Sequence, residues 1–242
     1  MALASFSFEL HRAPSSDLPF FMQGAFADFV SRSLQARPLL LIGLPGGHSL
    51  DGFYGGLGKR VPSKAHPHLF FFPVDERLVG MKDKENNGQA LQNALRSSKL
   101  AHPKQVLRLD TSVSKKGGLA GARELDAYGQ VLHQMAPEGA DLLILGVGPD
   151  GHVASLFPKR KELDEEGADW LAVDDSPKPP ARRATLPPAQ IQSAREVWLV
   201  FRGKEKQKAL VKFLDASVPV RDCPAKLALG AGRVVIWTDL QV

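Results

Sequence analysis

The chain alternates short, continuous runs of apolar residues with stretches of helical periodicity, and this alternation limits its fold more than any other feature. The apolar runs lie at 39–42, 68–74, 105–109, 141–145, 195–201 and 233–237. The helical patterns lie at 18–34, 119–135 and 204–214. Continuous apolar runs are typical of parallel strands that are covered on both faces. Strands that alternate with helices predict βαβ units, so we expect an α/β fold with a mostly parallel sheet and helices on both faces.

The 242 residues predict a single domain, 1–242, because no linker, internal repeat or low-complexity array divides them. The N-terminus alternates apolar and polar residues and lacks the features of a secretory signal, which favours a first strand there. No run of about 20 apolar residues occurs, so we expect no membrane span. Cys223 is the only cysteine, which excludes an internal disulfide and fits a reducing, cytoplasmic location.

The formal net charge of +5 does not indicate a nucleic-acid partner. The lysines and arginines are scattered among acidic residues, whereas nucleic-acid binding needs a concentrated basic footprint. We therefore predict no nucleic-acid binding. We interpret the excess of positive charge as solvated surface residues plus a few cations that bind an anionic small molecule.

A glycine-rich loop follows the run that ends at Ile42, and it is a candidate anion site. In open α/β sheets ligands bind beyond the carboxyl ends of the strands, so residues directly after each run are the informative ones. Here the glycines let the backbone turn and expose its N–H groups to an anion. The candidate substrate-binding residues are Gly46, Gly47, His48 and Ser49. The alternative is a flexible turn without a ligand.

Three charged residues, Asp75, Glu76 and Arg77, directly follow the apolar run at 68–74. Burying such charges unpaired is costly, and charges at strand ends mark sites in this architecture. The planar guanidinium of Arg77 suits a phosphate or carboxylate, and Asp75 is a candidate for substrate binding. The alternative is a structural pair in which Arg77 contacts Asp75 or Glu76.

The residues after the run at 141–145 give the strongest signal for catalysis. Gly148-Pro149-Asp150-Gly151 has the composition of a tight turn and presents Asp150 and His152 at the end of a strand. A histidine with a nearby carboxylate is the usual general-base pairing, because the carboxylate orients the ring and supports its charged form. The alternative is a structural histidine, which the glycine-rich setting at the ligand edge makes less favourable.

Two further cations are candidates for binding an anionic substrate. Arg183 ends a proline-rich stretch, 174–183, which predicts a surface loop, and it precedes an apolar turn at 184–186. Lys204 lies at the start of the helical pattern at 204–214, where a positive charge opposes the helix dipole unless an anion is bound. No HxxxH spacing or cysteine cluster occurs, so a metal is not indicated.

Four segments of the chain resemble the 6-phosphogluconolactonase family. The most specific of them is LILGVGPDGHVASLFP, at Leu143–Pro158. The others are FPVDERLV at Phe72–Val79, PPARRATL at Pro179–Leu186 and FRGKEKQKAL at Phe201–Leu210. Their order and spacing run through nearly the whole chain. The glycine loop departs from the family, which usually has Gly-Gly-Ser-Thr-Pro where this chain has Gly-Gly-His-Ser-Leu.

The resemblance implies a Rossmann-like α/β fold and hydrolysis of 6-phosphogluconolactone, a phosphorylated sugar lactone of the pentose phosphate pathway, without metal or cofactor. It also implies that His152 is the general base with Asp150 beside it, and that Arg77 binds phosphate or stabilises an oxyanion. Arg183 and Lys204 would be further substrate cations.

Two alternatives remain open at this point. One is an aldose–ketose isomerase or amino-sugar phosphate deaminase of the same fold. Those relatives need an acid–base carboxylate and read Asp-Glu-Tyr where this chain has Asp75, Glu76 and Arg77. The other is a sugar-phosphate sensor without catalysis, since a fold alone does not fix a function.

Overall fold

The computed structural model describes residues 7–46, 50–114, 116–167 and 169–241. The strands, in chain order, are β1 (Glu9–Arg12), β2 (Leu40–Leu44), β3 (Leu69–Pro73), β4 (Asp75–Arg77), β5 (Leu142–Gly146), β6 (Leu171–Val173), β7 (Arg183–Thr185), β8 (Val197–Phe201) and β9 (Val234–Thr238). The helices are α1 (Leu18–Ser33), α2 (Tyr54–Arg60), α3 (Asn87–Ser97), α4 (Thr111–Ser114), α5 (Gly118–Met135), α6 (Pro188–Gln192) and α7 (Gln207–Leu214).

Six of these strands form one sheet in the order β1-β9-β8-β5-β2-β3, and every pairing in it is parallel. The predicted α/β fold with a mostly parallel sheet is therefore confirmed. The strand expected at the N-terminus is β1, which pairs with β9 at one edge. Each apolar run except 105–109 supplies one strand, with bounds that shift by at most two residues.

Helices cover both faces of this sheet, as the sequence predicts. Successive residues of β2 point to opposite faces, because side chains alternate along a strand. Leu40 and Ile42 pack with buried residues of α1, α2 and α3. Leu41 packs with those of α5, α6 and α7. Both faces are apolar, so the strand sequences have to be continuous apolar runs. None of the described helices is both long and apolar enough to cross a bilayer.

The segment 105–109 is not a strand, so that prediction is wrong. Val106 makes one isolated bridge to Phe71 at the edge of the sheet, and the Leu107 amide donates to the Phe71 carbonyl over 2.7 Å. The Leu107 carbonyl then accepts from the Tyr128 hydroxyl of α5 instead of continuing the ladder. The next bond of a parallel ladder would need an N–H group at position 73, and Pro73 has none, so the pairing ends after one bridge.

A second, three-stranded antiparallel sheet lies beside the carboxyl edge of the first, in the order β4-β7-β6. It was not expected from the sequence, which predicts an apolar turn at 184–186 and a surface loop ending at Arg183. Instead Arg183 is the first residue of β7 and is only 5% exposed. Arg77 of β4 pairs with it across the ladder. The small sheet therefore brings the 75–77 and 183–185 segments together.

Four loops meet where the strands of the large sheet end. They follow β2, β3, β5 and β8, and they carry the glycine loop, the Asp75–Arg77 strand, the Asp150–His152 turn and the 204–206 turn. Close packing beneath them depends on Gly43 of β2. A Cβ atom there would lie 2.5 Å from Leu143 and 2.8 Å from the Phe72 ring. Any larger residue would push neighbouring strands apart directly under the site.

Candidate active site

These loops surround a cavity of about 250 Å³ at the carboxyl edge of the sheet. Its lining is unusually polar for so small a space and includes four cationic side chains. The residues that line it are Pro45, Gly46, Asp75, Arg77, Gly146, Val147, Gly148, His152, Ala154, Lys178, Pro179, Arg183 and Lys206. His152 and Arg77 therefore share one cavity, although they lie 75 positions apart in the chain.

His152 is held by the carboxylate of Asp150. Its Nδ1 lies 2.5 Å from Asp150 Oδ1, and the same oxygen accepts from the His152 amide over 3.4 Å. Burial raises the pKa of Asp150, but the hydrogen bond and the charges of His152 and Lys178 outweigh burial and lower the pKa below its ordinary range. An ionised carboxylate only accepts hydrogen bonds, so Nδ1 carries a proton in either form of the ring, and in the neutral form the lone pair is on Nε2. No hydrogen-bond partner of Nε2 is found among the described residues.

The imidazole is fixed between the backbone of the turn and an aromatic ring. The Gly148 amide donates to the His152 carbonyl over 2.9 Å, and Gly151 has a φ of +93°, which favours glycine. A Cβ atom on Gly148 would lie 1.9 Å from the imidazole, so the ring rests directly on this residue. The Phe157 ring lies 4.6 Å away, centroid to centroid. Residues within five positions of His152 thus set the orientation of its ring, in keeping with the tight turn that the sequence predicts.

The Arg77 guanidinium contacts neither Asp75 nor Glu76. Its NH1 group donates to the Glu85 carboxylate over 3.1 Å and to the Glu85 carbonyl over 3.3 Å. Its Nε is buried and has no hydrogen-bond partner among the described residues. Its NH2 group has no hydrogen-bond partner among the described residues either, so this end of the fork is the part that an anion in the cavity would bind.

Glu76 points away from the cavity, to the N-terminus of α3. Its carboxylate accepts from the backbone amides of Arg77, Asn87 and Gly88, each over 2.7 Å. Burial nevertheless raises the pKa of this fully buried carboxyl from 4.5 to about 7, against the effect of these hydrogen bonds. Glu76 therefore joins β4 to α3 and has no contact with the cavity space.

Asp75 lines the cavity, but its carboxylate is used by protein donors. It accepts from the Ser155 hydroxyl over 2.6 Å and from the Asn87 side chain over 3.0 Å. Arg183 NH1 lies 3.7 Å from Asp75 Oδ2, the oxygen that accepts from Ser155. All four side chains are nearly fully buried. Asn87 also packs on the glycine loop, because a Cβ on Gly46 would lie 2.0 Å from its amide oxygen. This buried polar network ties the loops of the site together.

The cavity is lined by a different lysine from the one that the sequence predicted. Lys204 is exposed and does not line the cavity, whereas Lys206, two residues later, is half-buried and does. Burial lowers the pKa of Lys206, and the charge of Lys178 lowers it further. Gly46 lies at the cavity as expected. The predicted residues Gly47, His48 and Ser49 lie outside the described residues.

Comparison with known proteins shows the family of the chain. The model of the family described as glucosamine-6-phosphate isomerases/6-phosphogluconolactonases matches residues 17–237. The chain belongs to this family. A 6-phosphogluconolactonase of Mycobacterium tuberculosis is 34% identical over 215 residues, which cover 87% of this chain and 86% of the relative. The 6-phosphogluconolactonase of Borreliella burgdorferi is 31% identical over 232 residues, or 93% and 94% of the two chains.

The fold agrees with that of a solved family structure. The crystal structure of 6-phosphogluconolactonase from Thermotoga maritima has a TM-score of 0.82 against this chain and covers 96% of it. The match covers 99% of the Thermotoga maritima chain, at 24% sequence identity. At that identity the likeness concerns the fold alone, and the site has to be argued from its own residues.

Two cations of this family member were missed from the sequence, Lys178 and Lys206. Lys206 follows Gly203, whose φ of +99° turns the 204–206 segment so that its third residue faces the cavity. That turn depends on tertiary contacts and has no signature of its own. Lys178 lies within the proline-rich stretch, and its closeness in sequence to Arg182 and Arg183 could have indicated a cluster of cations there. Among the described residues there is no group of three or more histidine, cysteine or acidic side chains that could hold a metal.

Proposed function

We propose that the chain hydrolyses 6-phospho-D-glucono-1,5-lactone to 6-phosphogluconate, the lactonase step of the pentose phosphate pathway, with His152 as general base. One observation carries the proposal: the imidazole oriented by Asp150 opens into a cavity that also holds Arg77, Lys178 and Lys206. A base and several cations in one small space suit an anionic ester. The lactone is already an activated ester, so neither a metal nor a cofactor is needed for this chemistry.

The reaction begins at Nε2 of His152, which takes a proton from a water molecule as the water oxygen attacks the lactone carbonyl carbon. The carbonyl electron pair moves to its oxygen, and Arg77 stabilises the negative charge that forms there. When this tetrahedral intermediate collapses, the bond between the carbonyl carbon and the ring oxygen breaks. The imidazolium returns its proton to the ring oxygen, which becomes a hydroxyl group, and Asp150 supports the positive ring meanwhile. The new carboxylic acid then loses the other water proton to solvent, which gives the carboxylate.

The phosphate of the substrate lies away from the reacting carbon and fixes its orientation. We propose that Lys206 and Gly46 hold it, because both line the cavity and an anion there would relieve the repulsion between the Lys206 and Lys178 ammonium groups. We further propose that the chain acts as one domain in the cytoplasm, where its single, buried thiol at Cys223 stays reduced.

The isomerase or deaminase alternative is less well supported. Those reactions need a carboxylate that exchanges protons with the substrate. Glu76 points to α3, and the Asp75 carboxylate is occupied by Ser155, Asn87 and Arg183. Neither carboxylate is available to act as an acid or base in the cavity, which favours the lactonase.

The test is a pH-stat assay on freshly made lactone, corrected for spontaneous hydrolysis. We expect the protein to accelerate proton release and His152→Ala to lower turnover by about 100-fold or more, the usual contribution of a general base. His133→Ala is the matched control, because His133 is an exposed histidine of α5 outside the cavity, and it should keep full activity.

Three outcomes would contradict the proposal. Near-unchanged turnover in His152→Ala would remove the general base. Binding of the lactone without acceleration would favour the sensor. Release of ammonia from glucosamine 6-phosphate would favour the deaminase.

A further inference from the structure

Arg183 was expected to contact substrate, but its guanidinium is surrounded by acceptors of the protein itself. Its Nε donates to the Pro180 carbonyl over 3.0 Å. Its NH2 group donates to the carbonyls of Lys178 and Pro179 over 3.1 and 3.0 Å. One side chain therefore holds three consecutive carbonyl groups of the segment 178–180.

The remaining group of Arg183 faces the buried polar network. NH1 donates to the Ser155 hydroxyl over 3.3 Å and lies 3.7 Å from the Asp75 carboxylate. An arginine has five N–H donors, and protein acceptors take four of those of Arg183, while the fifth, on NH1, lies on the side of the Asp75 carboxylate. With 5% of its surface exposed and four of its five N–H groups bonded to the protein, Arg183 has little to offer a phosphate.

The segment that Arg183 holds carries a different cation into the cavity. Lys178 is half-buried and lines the same wall as Lys206. Its charge lowers the pKa of both Lys206 and Asp150, so its ammonium group acts on the two sides of the site. The two lysines come from distant parts of the chain, and no salt bridge of either to an acidic side chain occurs among the described residues. Two such ammonium groups in one small cavity suit a dianion.

We propose that Arg183 is a positioning residue, which fixes the backbone of 178–180 so that Lys178 binds the substrate phosphate together with Lys206. The inference rests on the proposed lactonase function and adds to it. Lys178 selects phosphorylated over unphosphorylated lactone, and Arg183 acts on the substrate only through Lys178. Asp75 and Ser155 hold Arg183 in place and do not contact the substrate.

A double-mutant cycle with Lys178→Met and Arg183→Lys tests this. Lysine at 183 keeps the positive charge but loses the planar fork that reaches three carbonyls. For the phosphorylated lactone we expect each single variant to lower kcat/KM by about 10-fold or more, through KM, with kcat little changed. The kcat/KM of the double variant should equal that of the less active single variant, because both changes remove the same contact with the phosphate.

Unphosphorylated glucono-1,5-lactone supplies the second readout. Its kcat/KM should be the same in the unmutated protein and in all three variants, since it has no phosphate to lose. Arg182→Met is the matched control, because it removes a neighbouring arginine whose side chain does not line the cavity. This variant should match the unmutated protein on both lactones.

Several results would overturn the inference. Effects of Lys178→Met and Arg183→Lys that multiply would mean that Arg183 contacts the substrate itself. An equal loss on both lactones in Arg183→Lys would reduce its role to general stability. If Arg183→Lys does not fold, Lys178→Met decides alone, and an unchanged KM for the phosphorylated lactone would refute the proposal. Failure of the proposed function looks different, because the unmutated protein would then accelerate neither lactone.

Discussion

Replacing the buried Glu76 by glutamine should change how the free energy of unfolding depends on pH. Glu76 has no exposed surface, and its carboxylate accepts from three backbone amides, two of them at the start of α3. The charged groups that face it are Asp75, which raises its pKa, and Arg108, whose own pKa burial lowers against the opposing effect of Glu76. Burial outweighs the hydrogen bonds, so the pKa in the folded protein is about 7 rather than 4.5.

The sign follows from which state binds the proton. Between pH 4.5 and about 7 the folded protein keeps a proton on Glu76 that the unfolded chain has already lost. The contribution of Glu76 is therefore fully present below pH 4.5 and is lost as pH rises through 7. With these two pKa values, the loss between about pH 5 and pH 8 amounts to about 2.5 kcal/mol of unfolding free energy.

Urea denaturation of the unmutated protein and of Glu76→Gln, at several pH values between about 5 and 8, measures this loss. All other titrating groups are common to both proteins, so the difference between their unfolding free energies isolates Glu76. Glutamine at 76 leaves buried amides without an acceptor and lowers stability by an amount that does not depend on pH. The stability advantage of the unmutated protein should therefore shrink by about 2.5 kcal/mol as pH rises.

The control is Glu165→Gln, which changes an exposed glutamate. Its stability difference from the unmutated protein should stay constant over the same range. A constant difference for Glu76→Gln as well would show that burial does not raise the pKa of this carboxyl, and the reasoning above would be refuted. If the difference is constant between about pH 5 and 8 but grows as pH rises from about 3 to 5, the three amide hydrogen bonds outweigh desolvation and lower the pKa instead.

Two further predictions concern the site. Asp150→Asn should lower kcat by about 100- to 10,000-fold with little change in KM, because an amide can donate to Nδ1 of His152 and so favour the wrong tautomer. The pH-stat assay measures this, and a kcat within threefold of the unmutated protein would contradict the role of Asp150. Lys206→Met should raise KM for the phosphorylated lactone by about 10-fold, whereas Lys204→Met should not, since only Lys206 lines the cavity. Equal effects of the two lysine variants on KM would contradict the assignment of Lys206.

Features of the site that depend on neighbouring residues were predictable. The contact between His152 and Asp150 spans two positions and is built by the turn that begins at Gly148. Glycine and proline at fixed offsets have few conformations open to them, so composition predicts such a turn. Arg77 was also placed at the cavity, because it follows a strand that ends at the ligand edge.

Features that depend on distant residues were not predictable. The segment 105–109 has the composition of a strand, but its pairing with β3 ends after one bridge, beside Pro73, and the Leu107 carbonyl accepts from Tyr128 of α5. Arg183 was expected on a surface loop with a substrate role, and three carbonyls together with Asp75 and Ser155 surround it instead. Each of these contacts requires knowing which parts of the chain meet.

The sequence by itself determined the α/β class, the parallel sheet and the edge at which the site lies. Strands that are covered on both faces must be apolar throughout, and strand ends in such a sheet share one edge. Only the tertiary structure decided that the cavity is lined by Lys178 and Lys206 and not by Lys204. It also decided that Glu76 and Arg183 are buried, where they hold neighbouring backbone segments in place. The physical reason is that a charged side chain is placed by the partners that offset its desolvation, and those partners come from other segments of the chain.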